Sequence, residues 1–266
     1  MKIDYDARYF SPKDVLECGQ IFRFEEFERG YKVFSADRAC YVYTEGKKTF
    51  IECDDGDYFY NFFDLGRDYA AINESAKAFG VPLLARGAEL GAGIRLLNQD
   101  AEEMIFSFIV SQNNNIPRIR GIVERLCERF GAPIPGGGFS FPAPQALAGC
   151  SAEELAPLRA GFRAKYVLDA ARRVAAGEID FDTLRVLPLE NARAKLEEIC
   201  GVGPKVADCT LLYGLHRLDA FPVDVWVRRA LAAYLPGADP KEFGEAAGLL
   251  QQVLFVRIRA ENGRSG

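Results

Sequence analysis

The chain has 266 residues, 49% of them hydrophobic and 27% charged, with a formal net charge of −5 and a pI near 5.2. That is an ordinary globular composition, long enough for one substantial core or two modest ones, and no apolar run could span a bilayer. The acidic balance argues mildly against a nucleic-acid partner, although DNA affinity follows local phosphate contacts rather than the whole-chain sum. The seven cysteines are scattered and odd in number, with no Cys-x-x-Cys pair and none after Cys209. A reduced cytoplasmic protein is the simplest account, and a C-terminal four-cysteine iron–sulfur loop is excluded.

In chain order, Met1–Arg8 has no apolar stretch that could act as a signal. Between about 20 and 53, four short aromatic and β-branched runs (21–24, 31–34, 39–43 and 49–52) are separated by turns at Arg29-Gly30, Ala36-Asp37 and Glu45-Gly46. That spacing predicts an antiparallel meander. From Asp57 the pattern becomes helical, over 58–63 and 68–79, with a boundary expected near 91–99. Beyond it lie a strongly apolar helix at 101–112, a basic amphipathic one at 116–130, and a Gly/Pro-rich loop at 131–144. Further helices are expected at about 152–158, 163–176, 189–199, 204–214, 225–234 and 241–257. The arginines cluster at 118–129 and 159–173, which by itself suggests only a solvated face. The lone histidine, His216, reads as a surface or loop residue.

The most informative stretch is Leu196 to Cys209 followed by Phe221-Pro222-Val223-Asp224. A helix breaks at Gly201-Val202-Gly203 and restarts at Pro204, whose missing N–H costs nothing at the first helical position. Such a hairpin turns backbone N–H groups outward, a geometry suited to phosphate. Lys205 sits at the positive end of the second helix, where a cation is disfavoured. A local rule broken at a potential ligand site suggests function. The plain alternatives are a simple turn for the glycines and a helix cap for Asp224.

With these residues in place, the chain resembles the 8-oxoguanine DNA glycosylase/AP lyase family of the helix-hairpin-helix superfamily. The resemblance rests on Cys18-Gly19-Gln20-Ile21-Phe22-Arg23-Phe24, on Ser107 to Arg118 with its three asparagines, on Gly201 to Cys209 with Pro222 to Val225, and on Gln251 to Phe255. It implies an α+β fold: a twisted antiparallel β-sheet domain with helices (1–97), then an all-α domain (98–266) containing the hairpin at about 191–214. The implied partner is double-stranded DNA containing 8-oxoguanine, bound by a monomer without cofactor, metal or membrane. A prokaryotic cytoplasm, with the protein on the nucleoid through DNA, is the expected setting.

The resemblance also implies roles. A nucleophilic lysine must be neutral, which from a reference pKa near 10.4 takes about 4 kcal/mol at pH 7, more than a helix terminus supplies. Desolvation must provide the rest, so Asp224 is expected not to pair closely with Lys205 before substrate arrives. Asp224 would stabilise oxocarbenium character at the sugar while Lys205 attacks C1′ and forms a Schiff base. Asn113 and the aromatic wedge Phe162 would fill the space left by the flipped nucleotide, with Arg118 and Arg163 on the orphaned cytosine. Gly201, Gly203 and Trp226 would meet the DNA backbone. Gly19, Cys209, Gln251 and Phe255 would hold the base, the Gly19 carbonyl reading the N7–H that distinguishes 8-oxoguanine from guanine. Three positions depart from the family pattern: Trp226 where histidine is frequent, Phe162 where tyrosine is, and Cys200 for the usual proline. The competing readings are a glycosylase for another lesion, such as an alkylated purine, and a non-catalytic DNA-binding module.

Overall fold

The computed structural model describes residues 1–72 and 93–262. Its sheet is a five-stranded antiparallel one in the order β1-β5-β4-β3-β2, from Lys2–Asp6 (β1), Phe24–Phe27 (β2), Gly30–Ser35 (β3), Arg38–Glu45 (β4) and Lys48–Cys53 (β5). The meander is as the turns predicted, with Glu45 opposite Lys48 across a two-residue turn at Gly46-Lys47. Two details differ. β1 was not foreseen and seals the β5 edge, while Ile21 and Phe22 lie buried outside any strand, so that β2 begins at Phe24.

Two helices flank the sheet, Pro12–Glu17 (α1) and Gly56–Phe62 (α2), started by the side chains of Ser11 and Asp55. A helical turn begins at Tyr69, and the rest of the expected 68–79 helix falls outside the described residues. The helical region follows as Ala101–Ser111 (α3), Ile116–Phe130 (α4), Pro144–Ala148 (α5), Ala152–Leu155 (α6), Ala164–Ala175 (α7), Phe181–Val186 (α8), Leu189–Glu197 (α9), Pro204–Gly214 (α10), Val225–Tyr234 (α11) and Ala247–Asn262 (α12). The short helices α1, α5 and α8 were missed, each being only five or six residues long.

Among the described residues, apolar side chains form three clusters. One lies under the sheet around Phe10, Val42, Ile51 and Phe59; the largest surrounds α3 and α10; the third joins α11 to α12. The first two are stitched by a buried ion pair. Arg23 meets Glu103 at 2.9 Å, and the same Glu103 carboxylate accepts the Ala36 N–H at 2.9 Å. Both partners are nearly solvent-free. Burial raises the Glu103 carboxyl and Arg23 opposes that rise. His216, expected at the surface, instead faces Asp64 at 3.2 Å with its ring mostly covered.

Candidate functional site

The hairpin is built as read. Gly201 has φ +79°, and a Cβ there would sit 2.6 Å from the Tyr166 ring, so two independent constraints call for glycine. Gly203 is the N-cap of α10 and offers no side chain to it. Among the described residues, no acceptor meets the N–H groups of Gly201, Gly203 or Lys205. Such unfilled donors at a helix start suit an anionic oxygen. Arg193 on α9 grips Asp208 on α10 at 2.7 Å and fixes the angle between the two helices.

Lys205 is half-buried rather than out in bulk solvent. Its Nζ lies 4.9 Å from the centre of the Phe108 ring and 3.4 Å from Ser111 Oγ. Neither Phe108 nor Ser111 was singled out from sequence. Both sit on α3, which reads simply as a buried helix. Asp224 caps α11, its Oδ1 accepting the Val227 N–H at 2.7 Å. Lys205 and Asp224 make no ion pair within 4 Å; the neighbouring ion pairs on the hairpin are Arg193–Asp208 and Lys195–Glu198. Both nonetheless act on the Cys209 thiol, the ammonium lowering its pKa and the carboxylate raising it. Burial dominates and pushes that thiol up to about 11. Amine, thiol and carboxylate thus share one neighbourhood.

Lys205, Cys209 and Tyr213 follow one another four residues apart along one face of α10. The Tyr213 ring stacks on Phe108 at 5.6 Å, and its hydroxyl reaches Gln251 Oε1 at 3.2 Å. Cys209 and Gln251 are buried, and Phe255 is half-buried. Gly19 (φ +88°) packs so closely on Phe255 that an added Cβ would be 3.3 Å from the ring. Tyr213 thus connects the Lys205–Cys209 face of α10 to Gln251 on α12, and Phe255, one turn beyond Gln251, packs against Gly19.

The other expected contacts divide. Asn113 is exposed with φ +47°, on the loop joining α3 to α4. Phe162 is 50% exposed and stacks edge-on to Tyr166, so its ring is not a core residue. Arg118 is exposed and reaches the Arg159 carbonyl at 3.4 Å. Arg163 corrects the expectation of an outward base contact. It is 3% exposed, and its guanidinium holds the carbonyls of Gln112 (2.7 Å), Asn113 (2.8 Å) and Ala160 (3.2 Å). It braces the asparagine loop. Arg125 and Arg172 likewise donate to backbone carbonyls, while Arg118, Arg129, Arg159, Lys165 and Arg172 remain exposed. Trp226 is half-buried in the third cluster with Arg229 over its ring at 5.2 Å.

Comparison with known proteins agrees with this geometry. Residues 2–105 match the 8-oxoguanine DNA glycosylase N-terminal domain, and residues 106–247 match the HhH-GPD superfamily base excision DNA repair proteins. A probable N-glycosylase/DNA lyase of Methanothermobacter thermautotrophicus is 32% identical over 200 residues, 63% of this chain and 64% of that protein. The N-glycosylase/DNA lyase of Saccharomyces cerevisiae is 41% identical over 152 residues, covering 52% of this chain and 40% of the yeast protein. The chain thus spans less than two thirds of either relative. The 8-oxoguanine glycosylase/lyase of Clostridium acetobutylicum, solved with duplex DNA carrying cytosine opposite 8-oxoG, superposes with a TM-score of 0.89 at 32% identity, over 98% of each chain. MBOgg1, solved with a low-affinity DNA ligand, gives 0.91 at 39% identity, over 98% of this chain and 96% of that one. The chain belongs to the HhH-GPD superfamily of base excision DNA repair proteins and carries the N-terminal domain of its 8-oxoguanine DNA glycosylases.

Proposed function

We propose that this protein excises 8-oxoguanine, preferably opposite cytosine, from duplex DNA and then cleaves the strand as an AP lyase. The observation that carries this reading is the half-buried Lys205 at the start of α10, sharing the Cys209 neighbourhood with Asp224. The Lys205 amine attacks C1′ as the bond to the base nitrogen breaks, and the base leaves with that electron pair. Asp224 stabilises the positive charge developing on the sugar. The aminal so formed loses an amine proton, and its C1′–O4′ bond breaks with O4′ taking up a proton, which opens the sugar to an imine. That imine acidifies the C2′ proton, whose loss expels the 3′ phosphate.

Unpaired N–H groups at Gly201 and Gly203 receive a backbone phosphate, and Trp226 borders that contact. Phe162 and Asn113 occupy the gap in the stack, Arg118 meets the opposite base, and Arg163 supports them from behind. Gly19, Cys209, Gln251 and Phe255 hold the extruded base. The same reading divides the chain at 97/98, although the cluster around α3 and α10 also takes in Phe22, Tyr69 and Leu96. No helix among the described residues is long and apolar enough to cross a membrane. Seven free cysteines fit a reducing compartment, and a prokaryotic nucleoid is the setting proposed.

Borohydride should trap wild-type protein on a duplex with 8-oxoguanine opposite cytosine, and Lys205→Gln should give no adduct. An undiminished adduct from that variant would refute the assignment. A panel pairing 8-oxoguanine, uracil or an alkylpurine with each opposite base tests the lesion and the cytosine preference together.

A further inference from the structure

Three buried glutamines surround the Cys18-Gly19-Gln20 turn, and their hydrogen bonds leave a pattern. Gln252, 1% exposed, donates from Nε2 to the Cys18 carbonyl at 3.0 Å, 234 residues away in sequence. Its Oε1 accepts from the Tyr213 hydroxyl at 2.5 Å, so both ends of the amide are used. Gln99, 4% exposed, donates from Nε2 to the Gln20 carbonyl at 2.7 Å. Its own backbone N–H is held by the Tyr213 carbonyl at 2.8 Å. Gln20 turns its side chain inward to the Arg95 carbonyl (2.8 Å) and the Leu97 N–H (2.9 Å). The carbonyls on either side of Gly19 are therefore taken. Among the described residues no donor reaches the Gly19 carbonyl itself.

We infer that Gln252 and Gln99 are positioning residues that fix this turn so that the Gly19 carbonyl is the one acceptor left for the extruded base. The inference rests on the 8-oxoguanine reading above and adds to it the means by which one weak discriminator is made effective. A single hydrogen bond separates the two bases by only about 1–3 kcal/mol. A carbonyl free to swing would lose part of that to ordering on binding, and two amides anchored in the core remove that loss. Tyr213 links the turn to the lysine helix, because it lies two helical turns beyond Lys205 on the same face.

The test is single-turnover kinetics of full-length protein on three duplexes: 8-oxoguanine opposite cytosine, guanine opposite cytosine, and a preformed abasic site opposite cytosine. The last involves no base, so it reports the lysine chemistry without the Gly19 contact. For Gln252→Leu we expect the ratio of 8-oxoguanine release to abasic cleavage to fall roughly tenfold or more, the scale of one lost hydrogen bond. Gln99→Leu should move the ratio in the same direction. Tyr213→Phe removes the hydroxyl shared by Gln252 and Gln251 and serves if the leucine variants fold poorly; about threefold is expected for it. Gln99→Leu, which removes the amide that meets the Gln20 carbonyl, separates an effect on the turn from one on Gln251. Parallel loss on both substrates, or an unchanged ratio in Tyr213→Phe and Gln252→Leu, overturns the positioning role. A wild-type protein that cleaves abasic DNA yet releases no 8-oxoguanine overturns the function itself, and this inference with it.

Discussion

The hairpin around Lys205 and the turn around Gly19, the two halves of the proposed site, are made in opposite ways. The hairpin is local: a proline, two glycines and a 15-residue Arg193–Asp208 contact set its shape. The Gly19 turn has some local support, from Cys18 and Gln20 side chains on the Val15 carbonyl, but its flanking carbonyls are held from far away. Its geometry comes from amides 79 and 234 residues away and from the ring of Phe255. Chemistry that needs a nucleophile on a helix start can be carried by a short motif. Recognition that depends on one carbonyl draws its rigidity from the whole fold. A substitution should therefore damage the two halves by different routes.

The largest stability effect should come from the long-range side. Arg23 follows the Gly19 turn by four residues, and its buried pairing with Glu103 ties that segment to α3. Removing one partner of a buried pair leaves an uncompensated charge, at a cost of about 3–5 kcal/mol. Glu103→Ala should lower the denaturant midpoint by a corresponding amount with little change in slope. A change under about 1 kcal/mol would mean that the two regions are not joined through this pair.

The same division explains what was legible in the sequence. The hairpin, the α11 cap at Asp224 and the four strands of the meander follow from turn residues and periodicity within a few positions. β1 was missed because Lys2–Asp6 is defined by its pairing with β5, about 45 residues away, and not by any pattern of its own. Arg163 was misplaced because a charge in sequence looks like a charge in solvent. Only the fold shows its guanidinium turned onto the Gln112, Asn113 and Ala160 carbonyls. Gln99 gave no signal and Gln252, though inside the Gln251–Phe255 segment, gave no role of its own, since a buried glutamine is recognised by its partners. Phe108 and Ser111 were hidden for a related reason: their helix looks like core, and it is core, except where it meets Lys205.

Within the hairpin, Asp208 offers a test by pH. Burial pushes its carboxyl up to about 6, with Arg193 pulling the other way. The folded state then binds the proton more tightly than the unfolded chain, whose carboxyl titrates near 3.9. Its contribution to stability is present below that value and is lost as pH rises towards 6, by about 3 kcal/mol in all. Asp208→Asn should remove that part of the slope in stability measured from pH 4 to 6. Identical slopes in both proteins would mean that Arg193 keeps the carboxylate charged throughout.

The smallest stability effect belongs at the rim, and there the comparison is sharpest. Phe162 is half-exposed, touching Tyr166 edge-on at 5.9 Å and lying under the Arg163 guanidinium at 4.4 Å. Truncating it removes little buried area, so Phe162→Ala should change unfolding free energy by only about 0.5–1 kcal/mol. Unstacking a base step costs a few kcal/mol, which an inserted ring helps to offset. The same variant should therefore bind an 8-oxoguanine duplex roughly tenfold more weakly, while its affinity for single-stranded DNA, which has no stack to open, stays nearly constant. Tyr166 guards the interpretation, because its ring also covers Gly201. If Phe162→Ala loosens Tyr166, abasic-site cleavage should fall along with duplex affinity, and the wedge and hairpin would be one mechanical unit. If cleavage holds while affinity drops, the ring acts on DNA alone, and the local half of the site stays independent of what lies around it.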